Sequence, residues 1–294
     1  MISIIVCSID DYLYSNFIYS LKSTIGVEYE IIRINNRTEN LDITIAYNKG
    51  GREAKFDYLL FVHEDVVFHT KYWGKLLINY FEALNNPGVL GVVGSSYLPI
   101  SPSDWWISNN RFLHANYISN SKNGKTNEGL HRQIGPQIPQ KVYVLDGMFL
   151  FMNKSTFSKY QFDEELKGFH GYDTDICLQV SREFQNYFIP EILIEHFSKG
   201  NPNFIWLRNQ EIAKRKILPF FESLYPDSLI SKKAEVLAFH LFLGQLYKYG
   251  NNRLENITLA WFYLKQISLR AFSIYLIPIF IKYVLVYIFF SKNQ

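Results

Sequence analysis

Residues 2–10, ISIIVCSID, decide the predicted fold. Ile2 to Cys7 is a nearly continuous apolar run, interrupted only by Ser3, as expected of a strand that is buried on both faces. The polar residues Ser8 and Asp10 end this run. Because strands of this kind belong to parallel sheets covered by helices, we expect the first strand of an α/β sheet here.

Helical patterns and further apolar runs alternate after this strand. Residues 29–34 and 58–62 are apolar runs that stop at polar residues, and residues 12–23 and 43–55 fit helices. The alternation continues with predicted helices at 73–84 and 176–184 and predicted strands at 89–93, 142–145, 148–152 and 192–195. It predicts right-handed crossover units in a mostly parallel, Rossmann-like sheet, with ligands beyond the carboxyl ends of the strands.

Two regions depart from this alternation. Residues 101–140 are rich in Ser, Asn, Gly, Pro and Gln, which predicts a long surface excursion that either carries function or is disordered. From about residue 207 the pattern is mainly helical. We therefore predict an α/β domain over residues 1–206 and a helical C-terminal region over residues 207–294.

The composition indicates an ordered protein and argues against some partners. Hydrophobic residues make up 48% and charged residues 19% of the 294 residues, which favours a folded core. A net charge of +3 on 30 basic and 27 acidic residues gives no support for nucleic-acid binding. Only Cys7 and Cys177 occur, and the N-terminus lacks the pattern of a secretory signal, so we expect a reducing, cytoplasmic setting.

Polar residues follow the predicted strand 58–62. His63 and Asp65 lie two apart, so in an extended chain their side chains point the same way. This arrangement suits a divalent cation, since Mg²⁺ and Mn²⁺ prefer oxygen ligands and Mn²⁺ also accepts imidazole. A solvated turn is the alternative for so short a motif.

A second polar group, residues 169–175, precedes the predicted helix 176–184. Asp173 is either a general base, which must reach the proton that it abstracts, or the cap of that helix, with Asp175 favoured in the first turn by the helix dipole. The two roles are compatible. His196 directly follows the predicted strand 192–195, where it is either a hydrogen-bonding residue or a further metal ligand.

Taken in order, these segments resemble the family 2 glycosyltransferases, and more closely a bacterial branch that carries an aromatic-His-x-Tyr-Asp-x-Asp segment. The resemblance covers about residues 2–200. It consists of the first strand with Ser8, residues 31–38, Ala46 to Gly50 for Ala-x-Asn-x-Gly, residues 63–65 for the metal-binding Asp-x-Asp, Asp146-Gly147, residues 162–164 and residues 169–175. It implies the GT-A fold with a C-terminal helical region.

The resemblance also implies roles for individual residues. On the donor side it places Ser8 and Asn35 near the nucleotide base, Asn48 near the ribose or phosphates, and Glu64 and Asp65 beside the bound cofactor. Asp65, His63 and His196 would hold the metal, and Asp173 would be the general base. The acceptor side would comprise Asp146, Gly147, His170, Tyr172 and Asp175.

The implied reaction is an inverting transfer of a sugar from a nucleotide-sugar, a UDP-sugar by resemblance, to a hydroxyl of a glycan or lipid-linked acceptor. Mn²⁺ or Mg²⁺ would assist it. The sequence departs from the wider family where His63 replaces an acidic residue, Asn35 an aspartate, and Tyr172 a glutamate. A catalytically degenerate nucleotide-sugar-binding or scaffold protein is therefore one alternative, and a nucleotidyltransferase on a similar sheet is another.

The C-terminal quarter predicts contact with a membrane. Residues 271–290 contain one charge, Lys282, and one proline, Pro278, and are long enough to span a bilayer core. The charge and the proline favour a helix lying in the interface, and a buried core helix is the alternative. The basic residues that could hold it against anionic lipid are Lys265, Arg270, Lys282 and Lys292. We expect the protein at the inner face of the cell membrane.

Overall fold

The computed structural model describes residues 1–107, 111–120, 130–197, 202–224 and 230–289. Its strands are β1 (Ile2–Ser8), β2 (Tyr29–Asn35), β3 (Tyr58–His63), β4 (Val66–Phe68), β5 (Pro87–Gly91), β6 (Val93–Ser95), β7 (Leu113–Ser119), β8 (Leu130–Ile134), β9 (Gln140–Val142), β10 (Val144–Leu145), β11 (Phe149–Asn153), β12 (Gln185–Phe188) and β13 (Ile194–His196). Its α-helices are α1 (Asp11–Thr24), α2 (Asn36–Glu39), α3 (Ile43–Glu53), α4 (Trp73–Ala83), α5 (Lys154–Lys159), α6 (Tyr172–Val180), α7 (Phe204–Ile217), α8 (Phe221–Leu224), α9 (Lys232–Tyr249), α10 (Arg253–Gln266) and α11 (Leu276–Phe289). Short 3₁₀ turns lie at Trp105–Ile107 and Leu218–Phe220.

The larger sheet has seven strands in the order β2-β1-β3-β11-β5-β12-β9. β1 pairs in parallel with β2 and β3, with Ile4 opposite Ile31 and Leu60. β11 runs antiparallel to its neighbours β3 and β5, and β12 is again parallel to β5. The predicted Rossmann-like sheet is therefore present, and β11 and the edge strand β9 are its antiparallel members.

Strand β1 is buried on both faces, as predicted. Ile2, Ile4 and Val6 belong to one apolar cluster and Ile5 and Cys7 to another, because successive side chains of a strand point to opposite faces. The helix after it begins where Asp10 accepts hydrogen bonds from the N–H groups of Tyr12 and Leu13, at 2.9 and 3.1 Å. This N-cap fixes the short loop at the carboxyl end of β1.

A second sheet follows the path β10-β6-β7-β13-β4, with β8 beside β7. The prediction of one strand over residues 89–93 is wrong, because the chain leaves the larger sheet after β5 and enters the second sheet at β6. The predicted strand 142–145 is divided in the same way between β9 and β10. Val92, at the first crossing, is itself buried, so the apolar run continues through the break and conceals it.

The prediction of a surface excursion over residues 101–140 is wrong for residues 101–104 and for most of β7, whereas residues 130–140 are mostly exposed, as predicted. Ser103 and Asp104 are buried, and β7 pairs with β6, β8 and β13. Two polar side chains of β7 have partners inside the protein: Asn116 donates to the carbonyl oxygen of Pro190 at 2.5 Å, and Nε2 of His114 lies 3.3 Å from the Ser96 hydroxyl. Polar composition predicted exposure because such internal partners are not visible in the sequence.

Helix α6 begins four residues before its predicted start and ends at Val180. Gly171 is its N-cap, with a φ of 77° that favours glycine. Asp173 therefore lies in the first turn, and the alternative in which it caps the helix is wrong.

The C-terminal helices share an apolar cluster with the second sheet and the segment after β6, in which Phe242 and Tyr263 pack with Val144 and Tyr97. The mainly helical pattern predicted from about residue 207 is confirmed. Helix α7 crosses the predicted boundary between residues 206 and 207, and the division into two domains stays a prediction.

Helix α11, where we predicted membrane contact, packs on α9 and α10 and buries Leu276, Tyr283 and Tyr287. In the described part of the chain, no helix is both long enough and apolar enough to cross a membrane. Five large apolar side chains of α11 are exposed: Ile277, Ile281, Leu285, Ile288 and Phe289.

Candidate active site

A cleft of about 800 Å³ opens at the carboxyl ends of β1 and β3. Cys7 and His63 line it from the larger sheet, Tyr117 and Arg132 from the second sheet, and Asp173 from α6. Two sheets and one helix N-terminus thus enclose a single space. Its position agrees with the predicted location of ligands at the carboxyl edge of the parallel strands.

Three side chains in this cleft form a group that could hold a metal ion: His63, Asp65 and His196. Asp65 Oδ1 lies 3.3 Å from His196 Nε2 and 3.8 Å from His63 Nδ1, and the two histidine nitrogens are 3.5 Å apart. All three ligand atoms lie within 4.8 Å of one another. Two imidazoles and one carboxylate fit a divalent transition metal, because imidazole is a good ligand for that class of ion.

Strand pairing explains how residue 196 reaches residues 63 and 65. β4 begins directly after Asp65 and pairs antiparallel with β13, which places His196 opposite Val66. The Phe197 N–H also donates to the Asp65 carbonyl oxygen at 3.1 Å. The backbone that carries the third ligand is therefore fixed against the backbone that carries the second.

Asp173 is half-buried in the first turn of α6. Its Oδ2 accepts a hydrogen bond from the Gly147 N–H at 3.1 Å, and its Oδ1 accepts one from the Thr174 N–H at 2.8 Å. Burial, and after it the negative charge of Asp146, raises the pKa of Asp173 to about 7. A carboxylate with this pKa can accept a proton efficiently near neutral pH.

A further carboxyl group in the cleft was missed in the sequence. Asp104 is buried and accepts a hydrogen bond from Trp206, and burial together with Asp173 and Asp146 raises its pKa to about 7. Its position inside the predicted surface excursion hid it. An acidic residue followed by two tryptophans, Trp105 and Trp106, was the signal that could have marked it.

Tyr172 links the helix of Asp173 to the metal-binding group. Its hydroxyl lies 2.6 Å from His63 Nε2, and the side chain is buried. Gly147 makes room for it, since a Cβ at that position would lie 2.1 Å from the hydroxyl oxygen. Gly147 is therefore required for packing as well as for its N–H contact with Asp173.

A protein-family model described as "Glycosyltransferase like family" matches residues 3–213, which is more than half of the chain. The chain belongs to this family. The predictions of a glycosyltransferase and of the GT-A fold are thereby confirmed at the level of family and fold.

Structure comparison finds the crystal structure of GalNAc-T7 with UDP, GalNAc and Mn²⁺ similar over 90% of this chain, with a TM-score of 0.53 and 9% sequence identity. Our chain spans 54% of that chain. The crystal structure of A197 from STIV has a TM-score of 0.38 and 14% identity, over 67% of this chain and 86% of that chain. No curated protein sequence matches.

In this glycosyltransferase-family chain, three residues predicted to lie near the nucleotide do not line the cleft formed by the described residues: Ser8, Asn35 and Asn48. Ser8 is buried, and its hydroxyl accepts hydrogen bonds from the Arg33 guanidinium at 2.9 and 3.1 Å. Asn35 is exposed at the end of β2. Asn48 is buried and exchanges hydrogen bonds with the backbone of Phe162, at 2.8 and 3.0 Å. Asn48 thus ties α3 to the segment before α6.

Glu64 lines the cleft, and its carboxylate is directed at the loop after β1. It accepts hydrogen bonds from the N–H groups of Ile9 and Asp10 at 3.0 to 3.2 Å. In this structure Glu64 therefore holds the loop that borders the cleft.

The remaining predicted acceptor-side residues divide into two groups. Asp146 and His170 line the cleft, and burial lowers the pKa of His170, which favours its neutral form. Asp175 lies outside that lining and forms a salt bridge with Lys216 at 2.8 Å. The fixed position of Asp175 supports α6 against α7.

Proposed function

We propose that this chain is an inverting glycosyltransferase that moves a sugar from a nucleotide-sugar donor to a hydroxyl group of a glycan or lipid-linked acceptor. One observation carries the proposal: the carboxylate of Asp173 and the group His63, Asp65 and His196 line the same cleft. A base for the acceptor and ligands for the diphosphate end of the donor are both needed for this reaction.

Asp173 acts as the general base. Its carboxylate takes the proton of the acceptor hydroxyl while that oxygen bonds to the anomeric carbon, and the bond from this carbon to the phosphate oxygen breaks with its electron pair. Attack opposite the leaving group inverts the anomeric configuration. Each carboxylate oxygen of Asp173 accepts one backbone N–H and has a second lone pair for the acceptor.

His63, Asp65 and His196 would hold the cation, Mn²⁺ or Mg²⁺. When bound, such an ion stabilises the negative charge that develops on the leaving diphosphate. A UDP-sugar is the first donor to test, since UDP and Mn²⁺ are bound in the GalNAc-T7 structure of the same fold.

The test is transfer of radiolabelled sugar from a panel of nucleotide-sugars with added Mn²⁺ or Mg²⁺. We expect a nucleoside diphosphate and a glycoside of inverted configuration, identified by NMR of the product. Release of pyrophosphate would instead support a nucleotidyltransferase. Nucleotide binding without transfer to any acceptor and without donor hydrolysis would support a scaffold protein and end the proposal.

We further propose that the C-terminal helices bind an anionic membrane surface at its cytoplasmic side. The exposed side chains of Ile277, Ile281 and Leu285 are spaced four residues apart, so they lie on one face of α11. Residues 230–289 contain two acidic residues, of which Glu235 is buried, and the seven basic residues Lys232, Lys233, Lys248, Arg253, Lys265, Arg270 and Lys282. An apolar face among basic residues matches the chemistry of anionic lipid.

Sedimentation with vesicles, with and without phosphatidylglycerol, tests this location. We expect binding that requires the anionic lipid and that the double variant Ile281→Glu, Leu285→Glu abolishes. Ile138→Glu is the control, because Ile138 is also exposed but lies in the loop before β9 and belongs to none of these helices. Equal sedimentation of the two variants would contradict the proposal.

A further inference from the structure

Two residues in which this chain departs from the wider family meet in the structure. His63 stands in place of an acidic residue and Tyr172 in place of a glutamate, 109 positions apart in the sequence. The Tyr172 hydroxyl oxygen and His63 Nε2 are 2.6 Å apart, within hydrogen-bond distance. The two substitutions therefore form one contact.

The two nitrogens of the His63 ring face different partners. Nδ1 lies 3.8 Å from Asp65 Oδ1 and 3.5 Å from His196 Nε2, whereas Nε2 faces the tyrosine hydroxyl. In neutral imidazole one nitrogen carries a proton and the other a lone pair. The tyrosine hydroxyl can donate or accept, and Nδ1 presents a lone pair to the other two ligands only when Nε2 carries the proton and donates it to the phenol oxygen.

The position of the tyrosine hydroxyl is itself fixed by packing. The Tyr172 ring makes an edge contact with Tyr47, with centroids 5.7 Å apart, and lies 6.0 Å from the Phe162 ring. Only 3% of the residue is exposed, and Gly147 leaves the space that the hydroxyl occupies. A rigid oxygen at this point can hold an imidazole in one orientation.

We propose that Tyr172 is a positioning residue that holds His63 with Nε2–H donating to the phenol oxygen and the lone pair of Nδ1 directed toward Asp65 and His196. This rests on the proposed function, because it requires a cation at His63, Asp65 and His196. Tyr172 also precedes Asp173 in the first turn of α6. The same helical turn therefore sets the position of the base relative to the metal ligands.

The experiment is a titration with Mn²⁺, in the absence and in the presence of UDP, in which electron paramagnetic resonance measures the free ion. We expect Tyr172→Phe to weaken Mn²⁺ binding about 10- to 100-fold, the usual effect of removing a residue that orients a metal-binding histidine. Tyr187→Phe is the matched control, since it removes the hydroxyl of another buried tyrosine, one that donates to the Asn85 carbonyl oxygen outside the lining of the cleft, and it should retain wild-type affinity.

A double-mutant cycle separates orientation of His63 from general packing. In a His63→Asp background, Tyr172→Phe should change Mn²⁺ affinity by less than about 2-fold, because the imidazole that it orients is gone. An equal loss in both backgrounds, or wild-type affinity in Tyr172→Phe, would overturn the inference. If the wild type bound no Mn²⁺ in either condition, both this inference and the metal site of the proposed function would fail.

A measurement on the wild-type protein covers the case in which Tyr172→Phe does not fold. Nitrogen-15 NMR of the His63 ring should show a protonated Nε2 and an unprotonated Nδ1. The opposite tautomer would overturn the inference and leave the proposed sugar transfer standing.

Discussion

The cleft contains two groups of polar side chains with opposite electrostatic character. The metal-binding group, His63, Asp65 and His196, combines two imidazoles with one carboxylate in a space of less than 5 Å. The carboxyl group, Asp104, Asp146 and Asp173, has no cationic partner among the contacts described above. The negative charge of Asp146 adds to burial in raising the pKa of both Asp104 and Asp173. One group can collect a cation, whereas Asp104 and Asp173 in the other tend to retain protons near neutral pH.

This contrast assigns the two halves of the proposed reaction to different places. The leaving diphosphate needs positive charge, which the first group can supply through a bound ion. The acceptor hydroxyl needs a base of matched pKa, which the second group supplies by burial and repulsion. Substitutions in the carboxyl group should therefore leave Mn²⁺ affinity unchanged, and substitutions in the metal-binding group should leave the pKa of the base unchanged.

The largest expected effect comes from Asp173→Asn. The amide cannot accept the acceptor proton, so we expect kcat to fall about 10²- to 10⁴-fold. Mn²⁺ affinity should stay within about 2-fold of the wild type, because Asp173 lies outside the metal-binding group. Steady-state kinetics and the Mn²⁺ titration measure the two quantities. Unchanged turnover would remove Asp173 as the base.

His196→Ala should produce the reverse pattern with a smaller effect. Loss of one of three ligands should weaken Mn²⁺ binding by roughly 100-fold, and added Mn²⁺ should recover part of the activity. The pH at which activity is half-maximal should not move once Mn²⁺ is saturating. His240→Ala is the control, since His240 lies in α9, distant from the three ligands in sequence and outside the lining of the cleft. Equal Mn²⁺ affinity in the two variants would contradict a role for His196.

The metal-binding group could be predicted from the sequence, and one of the three members of the carboxyl group could not. His63 and Asp65 follow a buried strand, and the family resemblance supplied His196, which pairing of β13 with β4 brings to them. Asp104 belongs to a stretch whose polar composition predicted exposure, yet it is buried, and Asn116 of the following strand donates to the Pro190 carbonyl oxygen inside the protein. Burial of polar residues depends on partners far along the chain, which composition cannot show.

Part of the fold was likewise not visible in the sequence. Alternating apolar runs predicted the parallel strands, because a run such as 2–7 has to be covered on both faces. The passage from one sheet to the other at Val92 was missed, since it leaves the apolar pattern unbroken. The negative charge of Asp146, which comes from another segment of the chain, helps to raise the pKa of Asp173, and the sequence did not show that these two residues would interact.

The acidic limb of the pH–rate profile should depend on the carboxyl group. Activity requires ionised Asp173, so we expect the rate to fall as pH decreases through about 7, the raised pKa of this group. Asp146→Asn removes a neighbouring negative charge and should move the limb to lower pH by about one unit. The amide oxygen can still accept the Met148 N–H, which now lies 3.0 Å from Asp146 Oδ1.

Glu183→Gln is the control for this shift. Glu183 is a carboxylate in the segment after α6 that pairs with Lys159, and it lies outside the lining of the cleft. Its substitution should leave the acidic limb of the pH–rate profile at the pH seen for the wild type. A limb that stays near pH 7 in Asp146→Asn would mean that burial alone sets the pKa of Asp173.

The smallest expected effect is on stability, through Asp104. Burial raises the pKa of its carboxyl group to about 7, above the unfolded value of about 4. The group therefore stabilises the fold at low pH and loses this contribution as pH rises through about 7. This loss is absent in Asp104→Asn. The Tm of the variant minus the Tm of the wild type should therefore increase by about 2 to 4 °C between pH 5 and pH 8.

Thermal unfolding followed by circular dichroism at several pH values measures this shift, and Glu183→Gln provides a control of opposite sign. Lys159 lowers the pKa of Glu183, so its contribution to stability is lost toward acid pH and not toward neutral pH. A Tm difference for Asp104→Asn that does not vary with pH would mean that Asp104 ionises as an exposed aspartate does. In that case the carboxyl group would not retain protons at neutral pH, and the electrostatic contrast with the metal-binding group would be lost.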